Sequence, residues 1–187
     1  MTGEALDIPW PQTISRERLD LRPPRCADRR ALIGLITDPD VRRHLGGPIA
    51  RWKAELGVRA VNGRVPGTFV IAEGPTRVCV GLVHLDRHRP ARPGHRPDPD
   101  VPETSEGELE LSYSLAPSQW RHGYAHEATA AALEWIGPLV PDRHVIAVTQ
   151  RANARSVALL DRLGFVERER FVEFGEEQTL RWRPLVD

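Results

Sequence analysis

The chain has 187 residues, 40% of them in the hydrophobic set. That is enough for the core of one compact fold and too much for a collagen-like or fully disordered chain. Twenty-six basic residues balance 26 acidic ones, so the basic excess that drives binding to nucleic-acid backbones or anionic lipid is missing, and no nucleic-acid partner is expected.

Cys26 and Cys79 stand far apart with no second cysteine near either, which gives neither zinc-ligand spacing nor a disulfide framework, so no metal is expected. All the basic residues except Lys53 are arginine, a bias that reads as coding composition rather than mechanism. Met1 to Pro11 carries acids and prolines where a signal peptide needs a basic start and an apolar run. No segment approaches the roughly eighteen consecutive apolar residues of a membrane span. The expected setting is the cytoplasm, with reducing conditions and no membrane partner.

In chain order, residues 1–13 read as a polar leader around Trp10, and Arg18 to Arg22 alternates as a half-buried strand ending at Pro23-Pro24. A helix is expected from Ala27 to Ile36, a second after Pro39 up to Gly46-Gly47, and a third from Arg51 to Val61. Thr68–Glu73 and Arg77–Leu85 form a hairpin about the Gly74-Pro75 turn. Residues 87–107 hold five prolines and no aromatic residue, as an exposed loop insertion would, whether a bare connection or a lid. Glu108 to Leu115 alternates strictly, the clearest strand in the chain. An alanine-rich helix follows Tyr124, and Val145–Val148 is a short strand. A helix capped by Asn153 runs to Leu163-Gly164, and two strands flank Gly175. The expected fold is a single α/β domain of mixed, α+β type over residues 1–187.

The junction between Leu115 and Tyr124 has chemical potential. A strand that ends in a glycine-containing loop and opens a helix leaves backbone N–H groups unpaired at the positive end of the helix dipole, which favours an anion. Arg121 and His122 add donors, and Gly123 and Ala125 allow close approach. An ordinary strand-to-helix turn is the alternative. Neither the GxxxxGK[ST] nor the GxGxxG phosphate motif is present.

The run Trp120-Arg-His-Gly-Tyr-Ala125 with Glu127-Ala128 resembles the pyrophosphate loop of the GNAT superfamily of N-acetyltransferases, in its RimJ/RimL-type form. Arg16–Arg22, Asp38–Val41 with Leu45–Gly47, Glu110–Tyr113, and Asn153–Ser156 with Leu163–Phe165 agree in order and spacing. The resemblance implies a central, mostly antiparallel mixed sheet of six to seven strands flanked by helices and split at an acetyl-CoA site. It implies that acetyl-CoA is the acyl donor, held by the amides of Arg121, His122, Gly123, Tyr124 and Ala125, by the strand end at Leu115 and Ala116, and by Asn153, which is otherwise a plain helix cap. The acceptor would be an amine, on a peptide N-terminus or a small molecule, and the protein a monomer or homodimer.

Direct transfer needs a neutral amine, and Glu110 is the first choice for general base; a solvated strand glutamate is its alternative, and Glu108 is expected to be solvated. Tyr113 and His84 are fallback relays. The proton donor to the departing thiolate is a tyrosine in many members, at the place of Leu160 here, so the resemblance shifts that task to Ser156. Without turnover, the same features would suit a CoA-binding sensor or scaffold.

Overall fold

The strands are β2 (Leu19–Arg22), β3 (Thr68–Glu73), β4 (Cys79–His88), β5 (Glu108–Leu115), β6 (His144–Gln150), β7 (Val166–Glu173) and β8 (Glu176–Pro184), with apolar and polar residues alternating in β2 and β5 and continuous apolar runs in β3 and β6, and a two-residue strand, β1 (Ile14–Ser15), precedes them. Among the described residues five α-helices are interspersed: α1 (Arg29–Thr37), α2 (Pro39–Arg42), α3 (Arg51–Ala60), α4 (Tyr124–Ile136) and α5 (Ala154–Arg162). The computed structural model describes residues 6–60, 63–74, 76–88 and 107–185. Among these, all the strands join one sheet in the order β1-β2-β3-β4-β5-β6-β8-β7. The sheet is antiparallel except for the β5–β6 pair. It has eight strands, where six to seven were expected, because β1 is too short to carry an alternation signal of its own.

Strand side chains alternate between faces, and each face of the sheet carries its own core. On one face Leu21, Phe69, Ile71, Val83, Leu85, Leu109 and Leu111 pack with Ala128, Ala131 and Ala132 of α4 and Leu159 and Leu160 of α5. On the other, Val70 and Ala72 meet Leu32 and Ile33 of α1 and Ala54 and Val58 of α3. The small α4 residues let that helix lie close against the strands.

Part of the 1–13 leader belongs to the core rather than to the solvent. Leu6 is buried and Ile8 and Trp10 pack against the α4-side cluster. The Trp10 ring meets Phe69 edge-on at 4.9 Å, and its indole N–H donates to Gly63 O at 2.8 Å. Arg87 and His88, expected in the proline-rich loop, extend β4 and pair with Leu109 and Glu108. The remainder of that expected loop, 89–106, lies outside the described residues.

Local signals set the remaining joints. Asp38 accepts from Asp40 N and Val41 N to start α2, and Gly164, at φ +82°, ends α5. Gly67, at φ +76°, has the space of its missing Cβ only 2.1 Å from Leu85 O, so a side chain there would collide with the β4 backbone. Burial pushes the Cys79 thiol up to about 11, which leaves it protonated and inert at neutral pH. No helix among the described residues is long and apolar enough to cross a membrane.

Candidate active site

The two parallel strands at the middle of the sheet separate almost as soon as they meet. β5 and β6 are in register only at Glu110 and Ile146, and from Leu111 onward the strands have no paired register. In an antiparallel pair, alternate residues turn their main-chain groups toward the neighbour. Ala116 N–H is bonded to Val80 O at 2.9 Å, so the intervening residues Leu115 and Tyr113 aim theirs at the gap.

This corrects the expectation for Ala116. Its N–H faces β4, and its carbonyl accepts from Gln119 N–H at 2.8 Å, so neither group is presented to the gap. Leu115 keeps its N–H there, while its carbonyl takes the Trp120 indole N–H at 2.9 Å. Arg155 of α5 covers the Trp120 ring at 4.6 Å. Trp120 therefore ties the loop to both walls of the gap, a role legible only in three dimensions.

Beyond β5 the chain makes a 3-10 turn at Pro117–Gln119 and enters α4 through Gly123. Arg121 and Gly123 both have positive φ, +68° and +81°, a turn that lets successive N–H groups point to one side and form an anion-binding concavity. The first bond into the helix is Glu127 N–H to Gly123 O, 3.1 Å, so the amides of Tyr124, Ala125 and His126 precede the ladder, as helix-opening amides do. The loop brings Arg121, His122, Gly123, Tyr124 and Ala125 together at the start of α4.

Arg18, just ahead of β2, braces this loop and was not singled out from sequence. Its Nε donates to Glu127 Oε2 at 2.8 Å and Nη1 donates to His122 O at 2.8 Å, while the guanidinium lies 5.2 Å from the centre of the Tyr124 ring. The Tyr124 hydroxyl donates to Glu73 at 2.9 Å, which anchors the helix start to β3. An acid in the first turn of a helix opposite an arginine was the available signal, but the two lie 109 residues apart.

The two catalytic candidates lie on opposite faces of the sheet. Glu110 shares the α1–α3 face with Ser112 and Ser114, because Leu109, Leu111 and Leu115 occupy the α4 side. It is only 9% exposed, so the solvated alternative is overturned. Asp86 is its cross-strand partner and His84 the next but one. The His84 ring lies between Thr68 Oγ1, 2.8 Å from Nδ1, and Asp86, 3.2 Å from Nε2.

Glu108, expected to be solvated, is only 12% exposed at its side chain and lies against His144 at 3.0 Å and Arg168 at 3.6 Å. Its place at the β4–β5–β6 end encloses it, which alternation by itself cannot reveal. At the other end of β6, His44 Nδ1 meets Gln150 Oε1 at 2.9 Å, so the segment after α2 reaches the end of that strand on the Glu110 side.

On the α5 side, Asn153 caps the helix by accepting from Ser156 N–H at 3.2 Å. Ser156 Oγ lies 2.8 Å from the Tyr113 hydroxyl. Burial pushes the Tyr113 phenol up to about 12, against the hydrogen bond to Ser156 and the charge of Arg162, which lower it. Leu160 is buried in the core, so α5 presents no tyrosine at that place. Among the described residues no cluster of three or more His, Cys, Asp or Glu could hold a metal ion.

Solved structures with this fold are numerous. A GNAT-family acetyltransferase from Bacillus anthracis superimposes with a TM-score of 0.77 at 18% identity, covering 94% of this chain and all of that one. A spermidine N-acetyltransferase from Vibrio cholerae, solved with CoA and spermine, gives 0.70 at 17%, over 91% and 97%. A ribosomal-protein-S5-alanine acetyltransferase from Vibrio fischeri gives 0.62 at 17%, over 95% and 98%. At such identities the likeness establishes the fold alone. No curated protein matches the chain in sequence. The family model described as "Acetyltransferase (GNAT) domain" matches residues 18–166, from the arginine that braces the loop to the first residue of β7, and the chain therefore belongs to the GNAT acetyltransferase family.

Proposed function

We propose that this protein is an acetyl-CoA-dependent N-acetyltransferase that moves the acetyl group directly onto an amine while both substrates are bound. The observation that carries this reading is a coincidence in space: the unzipped β5–β6 gap opens beside the N–H-rich turn at Arg121–Ala125. A carrier that joins a diphosphate to an extended amide-bearing arm fits both features. The turn amides would hold the diphosphate, and the Leu115 and Tyr113 main chain would pair with the arm as a strand would.

Acetyl-CoA supplies the activated acyl group. The chain supplies alignment, charge stabilisation and proton handling. The Leu115 N–H, which faces the gap, would stabilise charge that develops on the thioester oxygen, an effect of about 3 kcal/mol in comparable sites. Asn153 orients the arm at the α5 end. An amine is largely protonated at neutral pH, and Glu110, on the face opposite α5, would take its proton directly or through a water. The acceptor thus approaches from the α1–α3 side and the donor from the α4–α5 side. The RimJ/RimL-type run from Trp120 to Glu127 supports that branch, and with it an amine on a peptide N-terminus or a small molecule.

The test combines calorimetry with CoA and thiol release from acetyl-CoA across a panel of peptides and small amines. Binding with acceptor-dependent thiol release is expected. An absence of binding heat would sink the reading, and tight binding without release would replace the enzyme by a CoA-binding sensor.

The Arg18 brace gives a second expected result. Arg18→Ala should raise the KM for acetyl-CoA about fivefold, because an exposed charge-assisted contact is worth about 1 kcal/mol. The loss should appear in KM more than in kcat, as it does for interactions made equally in ground and transition states. Steady-state kinetics decide it: an unchanged KM would mean that the loop keeps its shape unaided.

A further inference from the structure

Tyr113 and Ser156 are 43 residues apart, yet their hydroxyls meet at 2.8 Å, joining β5 to the first turn of α5 where β5 and β6 have separated. The Ser156 carbonyl, 3.5 Å from the Tyr113 hydroxyl, competes for the same single phenol proton but lies beyond ordinary hydrogen-bond length, whereas Oγ lies within it. The pair flanks the gap on the side from which the acyl donor would enter. We propose that Tyr113 is a positioning residue for the leaving group: its hydroxyl donates to Ser156 Oγ, so that the Ser156 proton is the one left to point at the departing sulfur. The inference rests on the acetyl-CoA reading above.

A serine in the first turn of a helix otherwise turns its proton back to a carbonyl one turn earlier, which would remove it from the gap. A donor already seated on Oγ limits the directions left to that proton. A half-buried phenol turned away from solvent in turn favours a partner, and Ser156 provides it.

The pair gives a hydrogen bond, not a proton. Tyr113 is pushed up to about 12, whereas a free thiol titrates near about 8.5, so the phenol keeps its proton when a thiolate forms beside it. The amine electron pair makes the new C–N bond, the C–S pair stays on sulfur, and the amine proton goes to Glu110. The thiolate, held by the Ser156 hydroxyl, takes its proton from water on release.

The experiment titrates the thiol of bound CoA by its ultraviolet thiolate absorbance in the wild type, Tyr113→Phe, Ser156→Ala and the double variant. The wild type is expected to hold the thiol about one pKa unit below free CoA, the size of one hydrogen bond to a charged group. Tyr113→Phe, which keeps the ring, should abolish at least half of that shift, Ser156→Ala all of it, and the double variant no more than Ser156→Ala alone. Binding of acetyl-CoA, which has no free thiol, verifies that each variant is folded. A merely structural tie would lower the melting temperature of Tyr113→Phe and leave the thiol pKa at its wild-type value, which overturns the proposal. If CoA binds with the same thiol pKa in all four proteins, this proposal fails and the acetyl-CoA reading stands. If the wild type binds no CoA, both fail.

Discussion

Glu110→Gln is expected to lower kcat about 10²–10⁴-fold, the range for loss of a positioned general base, with little change in the KM for acetyl-CoA. Glutamine has nearly the same shape, so the buried site keeps its packing while losing the ability to accept a proton. Glu110 stands at the last residue where β5 and β6 are in register, on the face reached by the segment after α2, so the substituted atom lies on the acceptor side and not on the carrier loop. The pH profile supplies an independent check. As pH rises toward the acceptor's own pKa, free amine appears without assistance, and the deficit of the variant should shrink. A variant with wild-type kcat at neutral pH would move the role to another group, and the Thr68–His84–Asp86 chain, on the same face and adjacent in register, is the nearest candidate.

Asp28→Asn is expected to destabilise the fold by about 3–5 kcal/mol, because it leaves a buried guanidinium without its counter-charge. Arg22 of β2 and Asp28, just before α1, form a two-pronged pair at 2.7 and 2.8 Å with side chains only 4% and 5% exposed. Asp28 also accepts from Arg25 N–H at 2.7 Å, which locks the turn that launches α1. Burial pushes the Asp28 carboxyl up, but the hydrogen bonds from Arg22 and Arg25 N–H and the charge of Arg22 outweigh it and hold it below the ordinary range. The sign follows from a depressed folded pKa: the stabilisation is complete above the unfolded value of about 3.9 and is lost as pH falls through the folded pKa. Urea unfolding at neutral pH measures the loss. Acid titration should show the wild type approaching the variant at the lowest pH. Replacing both partners, as in Arg22→Met with Asp28→Leu, should recover much of the stability, since an apolar pair leaves no orphaned charge. If Asp28→Asn alone costs less than about 1 kcal/mol, the pair is not sealed from water as its burial indicates.

These two residues illustrate different degrees of legibility. Glu110 falls on a strand whose alternation is plain, beside a motif with a recognisable pattern, so its candidacy needed no coordinates; its burial did. Asp28 sits where helix-start signals are expected, but nothing local says that its carboxyl turns inward to meet an arginine from the previous strand. Glu108 makes the same point in reverse: its position in the alternation suggested solvent, and the β6 and β7 side chains His144 and Arg168 enclose it.

The sequence by itself determined the order of strands and helices from Arg18 to Trp182, the cap at Asn153, and the glycine-bearing turn that opens α4. These are properties of neighbouring residues, fixed by side-chain period, backbone φ preferences and short hydrogen bonds. Only the tertiary structure decided that Ala116 faces β4 while Leu115 faces the gap, that Arg18 reaches His122 and Glu127, and that Tyr113 meets Ser156. Each of those depends on strand register and on helix placement across the sheet, where a shift of one residue reverses the direction of every group, and no pattern along the chain records that choice.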